Sequence, residues 1–353
     1  MGKTIAIGTT RFLGHDTMAV ETSQSSDLTV TRNESKEANE NPSQEFQDLI
    51  ATLPTKLDKF EIELCQYQGF WFAKTRIKGI LKCHKQFQAR DSDIFLATSP
   101  KSGTTWIKAL IFAITNRNTH NPTSPIINNN PHALVPFLEH LLQDENTSNS
   151  SSFLSSSLPR ILATHIPYVL LPEAMKQSRL KMVYLGRNPK DLFVSYWHFM
   201  SKVKPESQGC RSLEDSFEEF CQGVSFYGPF WDQMLGYYKE SLERPWKILF
   251  LTFEELKNGP VRTVKQLAEF IGYGFSQEEE NGDVVDNILK LCSFENLSCL
   301  EVNRTESSPF GFENKLFFRC GEVGDWKNLL TVDMAKRFDS IIQEKLEKHG
   351  LKF

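Results

Sequence analysis

The 353-residue chain is 40% hydrophobic and 24% charged, the balance of a globular protein long enough for one large α/β domain or two modest ones. Its 40 basic and 44 acidic side chains leave a net charge of −4, which excludes a global attraction to nucleic acid or an anionic membrane and makes any anion site local. Seven cysteines without a Cys-x-x-Cys pair indicate neither a zinc site nor a disulfide framework, and no apolar run approaches the ~18 residues of a membrane span. With no basic-then-apolar leader pattern, the cytoplasm is the expected compartment.

In chain order, residues 1–44 are rich in Ser, Thr, Asn and Glu with little apolar periodicity, which predicts a disordered extension ahead of a domain over 45–353. Phe46, Leu49, Ile50 and Leu53 then share the spacing of one helix face. Tyr67 to Phe72 is a dense aromatic patch. Ile94 to Thr98 is a short apolar run that enters a turn at Ser99 to Gly103, followed by a helical pattern through about Arg117. The Ser- and Asn-rich stretch 146–157 reads as a surface loop. Further strand candidates are Arg160 to Thr164, Lys181 to Gly186 with a helix opening at Asn188-Pro189, and Lys247 to Thr252 after helices over about 213–222 and 229–243. Beyond Val261 the pattern is mostly helical. Strands separated by helical crossovers imply the α/β class, a single domain with a central parallel sheet flanked by helices.

Three segments carry chemistry. Pro100-Lys101-Ser102-Gly103-Thr104-Thr105-Trp106 stands where a buried strand turns into a helix, and unpaired backbone N–H groups and the helix dipole there favour an anion. Gly103 allows close backbone approach, the hydroxyls of Ser102, Thr104 and Thr105 can donate, and Lys101 supplies a mobile charge. An ordinary capped helix start would look similar. It is not a Walker A loop, because the lysine precedes the glycine. The second segment, Tyr184 to His198, places Arg187 and Ser195 about two helical turns apart; alone, Arg187 would more often pair with Asp191. His198 reads as helix surface or core. In the third, Phe318 to Lys327, Gly321 and Gly324 with flanking basic residues suggest a loop folding over an anion, a weak signal by itself.

Together these segments resemble the cytosolic sulfotransferase family over nearly everything from about residue 60 to Phe353, and connecting text at 134–139 and 228–231 is similar to its plant branch. The resemblance implies a P-loop-kinase-like nucleotide fold. It implies transfer of a sulfuryl group from 3′-phosphoadenosine 5′-phosphosulfate (PAPS), as co-substrate, to a hydroxyl of a small organic acceptor. In the plant branch such acceptors include flavonoids, brassinosteroids, hydroxyjasmonates and desulfoglucosinolates, with no nucleic-acid or membrane partner. By the same resemblance Lys101 to Trp106 is the 5′-phosphosulfate loop, with Lys101 at the bridging oxygen and Trp106 on adenine. Arg187 and Ser195 meet the 3′-phosphate, Arg319, Cys320 and Gly321 close over it, and His165 of Thr164-His165 is the general base.

The chain departs from the family pattern at several points. Cys320 stands where a lysine is usual, Phe253 where a tyrosine commonly lies near adenine, and Cys292-Ser293-Phe294 replaces a Thr-Ser-Phe segment. The animal dimer motif is only partly present around Lys327 to Lys336, which leaves a monomer or weak homodimer. No carboxylate cluster has metal-ligand spacing, so no metal is expected. A P-loop kinase or NTPase would need the Walker lysine and a strand-ending Asp; a catalytically impaired homologue that binds PAPS or its product PAP (3′-phosphoadenosine 5′-phosphate) is the other alternative.

Overall fold

In the computed structural model, residues 42–118, 124–143, 159–203 and 212–353 are described; residues 1–41 of the expected extension and the Ser-rich stretch 146–157 lie outside them. Helix α1 (Pro42–Thr52) buries Phe46 and lays Leu49 and Ile50 against the same core, as the spacing implied. It leads into strands β1 (Thr55–Leu57), β2 (Glu63–Tyr67) and β3 (Phe70–Ala73), which form an antiparallel sheet in the order β1-β2-β3. The aromatic patch is thus a hairpin: Tyr67 pairs with Phe70, and Gln68 and Gly69 both take positive φ, as a two-residue turn of this hand requires.

Helix α2 (Ile77–Gln86) follows, then the four expected strands: β4 (Ile94–Thr98), β5 (Ile161–Thr164), β6 (Lys181–Gly186) and β7 (Ile248–Thr252). They pair in parallel in the order β5-β4-β6-β7. Alternate residues of β4 feed opposite cores. Phe95 and Ala97 pack with Met182 and Tyr184 on one face, Ile94 and Leu96 with Val183 and Leu185 on the other. Burial on both faces explains why these strands are unbroken apolar runs. At their N-terminal ends Arg160 donates through Nε to Asp93 at 2.8 Å, a buried pair that ties β4 to β5.

Helices α3 (Thr104–Asn116), α4 (Pro131–Leu134), α5 (Leu138–Leu141), α6 (Pro189–Val203), α7 (Leu213–Cys221), α8 (Phe230–Glu243) and α9 (Phe253–Asn258) are among those that cover the sheet. From β4 the chain goes to β5 on one side and then crosses to β6 on the other. The switch point is therefore at the C-terminal end of β4, where open α/β sheets place their ligands.

Helix α2 meets α5 with no space between their backbones. A Cβ on Gly79 would lie 2.1 Å from the carbonyl oxygen of Glu139. Alanine usually gains about 0.5–1 kcal/mol over glycine inside a helix. At Gly79 we expect Ala to cost about 1–3 kcal/mol, because backbone must shift. Thermal melting checks this: Gly79→Ala should lower Tm by a few degrees, and an increase would contradict the close-packed α2–α5 contact.

Candidate active site

The chain leaves β4 at Thr98 and turns into α3 through two left-handed residues, Lys101 (φ 73°) and the N-cap Gly103 (φ 102°). At Lys101, a non-glycine residue, this conformation costs roughly 1–3 kcal/mol and points to a functional constraint. At Gly103 no other residue fits, because a Cβ would stand 2.7 Å from the Phe253 ring. Gly103, Thr104, Thr105 and Trp106 line a cleft of about 630 Å³ at the sheet's C-terminal edge. Ser102 does not: it is fully buried under the turn. Trp106 packs edge-to-face on Phe253, with centroids 5.6 Å apart.

Helix α6 carries Arg187 just before its start and presents Ser195, His198, Phe199 and Lys202 to the cleft, the i, i+3, i+4, i+7 stripe of one helix face. His198 is thus a half-buried cleft residue, not the helix surface or core position its sequence context suggested. Arg187 does not hydrogen-bond Asp191. It donates to the carbonyls of Lys101 (3.3 Å) and Glu322 (2.8 Å), and its guanidinium lies 4.4 Å over the Phe253 ring. Asp191 instead accepts the backbone N–H groups of Gly324 (2.7 Å) and Trp326 (2.9 Å), tying the third segment to α6. That segment brings Arg319, Cys320 and Gly321 to the cleft, Arg319 paired with Asp325 and Gly321 so close to Phe294 that a Cβ would lie 2.8 Å from its ring.

His165 follows β5 and is clamped on three sides. Its N–H donates to Glu139 Oε1 (2.9 Å), its carbonyl accepts from Gln233 Nε2 (2.6 Å), and its Nδ1 lies 2.7 Å from the Thr98 carbonyl. A carbonyl can only accept, so the ring proton sits on Nδ1 and Nε2 keeps a lone pair. Burial, opposed by the bond to Thr98 and aided by Lys108 and Lys101, lowers the His165 pKa to about 3. Burial and then the charges of Arg187, Arg319 and Lys202 lower Lys101 to about 7. Its ammonium rests 4.0 Å over the Phe199 ring.

Among the described residues the cleft is lined by Arg76, Lys101, Arg187, Lys202, Lys257 and Arg319 against the single carboxylate of Glu295. The buried Nε atoms of Arg187 and Arg319 and the Nε1 of Trp106 lack partners. Unspent donors and an excess of positive charge make this a site for an anion with several negative groups. Phe253, Cys292, Ser293 and Phe294 line the same end. Among the described residues no His, Cys, Asp or Glu group could hold a metal ion. The sequence reading missed Lys108 and His132, and singled out no role for Glu139 and His140, which lie in the stretch 134–142 expected to shape the pocket. For Lys108 a signal was present, a lone charge at a core position of an apolar helix; the others act through contacts distant in sequence.

The family model of the sulfotransferase domain matches residues 91–350. Cytosolic sulfotransferase 5 of Arabidopsis thaliana is 46% identical over 317 residues, covering 89% of this chain and 98% of that protein. The crystal structure of an Arabidopsis thaliana protein described as a steroid sulphotransferase is similar with a TM-score of 0.70 at 40% identity, over 89% of this chain and 97% of that one. A mouse sulfotransferase solved in complex with PAP gives 0.62 at 26% identity, over 80% and 94%. The chain belongs to the sulfotransferase family, and its activity is that of a sulfotransferase.

The depressed Lys101 amine can be observed directly. After reductive dimethylation with labelled formaldehyde, one NMR signal, absent from Lys101→Ala, should titrate near pH 7 rather than near 10. A midpoint above 9 for that signal would contradict the desolvated cation cluster.

Proposed function

We propose that the protein transfers the sulfuryl group of PAPS to a hydroxyl of a small, largely apolar organic acceptor. The observation that carries the reading is the placement of Lys101 and His165 on one cleft, with Nδ1 of His165 committed to the Thr98 carbonyl and Nε2 left as a base. Lys101, Arg187 and Arg319 supply the positive field for a phosphosulfate and a 3′-phosphate, with Ser195 and the backbone at Gly321 beside them. Trp106 offers a stacking face for adenine, and Phe253 packs beside it. Cys320 places a thiol where the family usually has a lysine.

His165 takes the proton of the acceptor hydroxyl at Nε2 as that oxygen forms its bond to sulfur. Lys101 meets the negative charge left on the bridging oxygen when the bond from sulfur to that oxygen breaks. The low pKa values of both groups belong to the cleft without its anion. The negative charges of PAPS favour the cationic forms, restoring Lys101 to an ammonium and making His165 a stronger base. No metal is required by this scheme. Beyond His165 the cleft is walled by Phe137, Phe226, Tyr227, Phe310 and Phe312, which suits an apolar acceptor body. The relatives are named cytosolic, and among the described residues no helix is long and apolar enough to cross a membrane; we place the enzyme in the cytosol.

Transfer from radiolabelled PAPS to a panel of hydroxylated acceptors tests the reading. His165→Ala should lower kcat by ~10²–10⁴, the usual contribution of a positioned base, while PAP affinity measured by calorimetry stays near wild type. Near-normal turnover in His165→Ala would remove it from the mechanism, and absence of transfer to every acceptor by a wild type that binds PAP would favour a binding homologue.

A further inference from the structure

One buried amine has no role in the scheme above. Lys108 lies on α3, one turn beyond Thr105, and is fully buried in an otherwise apolar stretch. A methionine would be cheaper to bury at such a position, since an amine must keep a hydrogen-bond partner. Its partner is a second buried polar group. Lys108 Nζ lies 3.2 Å from Nδ1 of His132, and its other side faces the Phe137 ring at 3.5 Å. The other ring nitrogen of His132, Nε2, lies 3.1 Å from Oγ1 of Thr105, which lines the cleft.

His132 cannot turn away from these partners. Its backbone N–H donates to Asn130 Oδ1 (2.8 Å), and Asn130 Nδ2 donates in turn to the buried Asn303 (2.8 Å). Its ring is wedged against Phe317, with centroids 4.4 Å apart, and stacks on Phe137. Burial first, and then the neighbouring Lys108, keep its pKa well below the usual range, so the ring is neutral with one N–H and one lone pair. An amine donates in either charge state. With Nδ1 accepting from Lys108, the ring proton is on Nε2 and is donated to Thr105 Oγ1. The hydroxyl hydrogen of Thr105 is then left to point into the cleft. The neighbouring Thr104 hydroxyl is already paired with Thr98 Oγ1 at 2.9 Å, and Ser102 is buried off the cleft, so Thr105 is the turn hydroxyl with a hydrogen left for a ligand in the cleft.

We propose that Lys108 and His132 are positioning residues that form a one-way donor relay, Lys108 to His132 to Thr105, and fix the Thr105 hydroxyl as a donor to the anion bound at the turn. The inference rests on the reading that this end of the cleft takes PAPS and PAP. Lys108 is not on the cleft wall and can reach the ligand only through His132 and Thr105. His132 touches the wall, but both its ring nitrogens are committed to Lys108 and Thr105, so the relay's donor to the ligand is the Thr105 hydroxyl.

The test is a double-mutant cycle on PAP affinity, measured by calorimetry on the full chain, with melting curves as the check on folding. Thr105→Val should weaken PAP about tenfold, the loss of a hydrogen bond to a charged group. Lys108→Met, which conserves volume, should weaken it by about three- to tenfold, and in the Thr105→Val background it should add nothing. His132→Phe should match Lys108→Met, whereas His132→Gln, whose amide can accept from Lys108 and donate to Thr105, should restore most of the affinity. If Lys108→Met does not fold, the contrast between His132→Phe and His132→Gln decides. Equal affinity in those two, or additive losses in the cycle, would overturn the relay. A wild type that binds PAP with a silent Lys108→Met overturns the relay alone, and a wild type that does not bind PAP overturns the reading beneath it as well.

Discussion

The cleft is organised by repulsion among cations that are partly kept from water. Lys101, Arg187 and Arg319 converge at the C-terminal edge of one parallel sheet, Arg187 buried and the other two half-buried, so solvent screens them only in part. None moves away, because each is held by something else. Lys101 is fixed by a left-handed turn, Arg187 by two backbone carbonyls and the Phe253 ring, and Arg319 by Asp325. The depressed Lys101 amine reflects burial first and the neighbouring cations second. On the proposed reading, an anion entering the cleft relieves the repulsion and favours the ammonium form of Lys101.

The supports of that arrangement lie outside the cationic turn. Asp191 spends its carboxylate hydrogen bonds on two backbone N–H groups of the third segment instead of on Arg187. This anchors the closing loop and leaves the Arg187 Nε without a partner, although Asp191 and Glu254 still offset part of its charge. Glu139, Gln233 and the Thr98 carbonyl hold His165 by backbone and ring together, so its tautomer follows from the fold and not from the ligand.

How much of this the sequence showed depends on where the information lies. The four parallel strands were legible because both their faces are buried, which makes them short apolar runs between helices. The hairpin of β2 and β3 was not, because Phe70, Trp71, Phe72 and Ala73 alternate in burial but not in polarity. Strand β1 has three mostly exposed residues and no pattern at all. In the site, the turn, Arg187, Ser195, His165 and the Arg319 segment, singled out by motif, come together on one cleft. Ser102 was placed with them, yet its side chain is buried behind the wall. His198 was misread although it shares a helix stripe with Ser195. Lys108 and His132 are 24 residues apart and meet only in space.

The central claim is that the cation cluster was assembled for a nucleotide carrying phosphate at both ends. Comparing the affinity of PAP with that of adenosine 5′-monophosphate, which lacks the 3′-phosphate, isolates one end of it. Wild type should prefer PAP by about 100-fold or more, and Arg187→Ala should lose most of that preference, because a charge-assisted contact of roughly 2–5 kcal/mol is removed. An Arg187→Ala protein that still discriminates between the two nucleotides as wild type does would contradict the account.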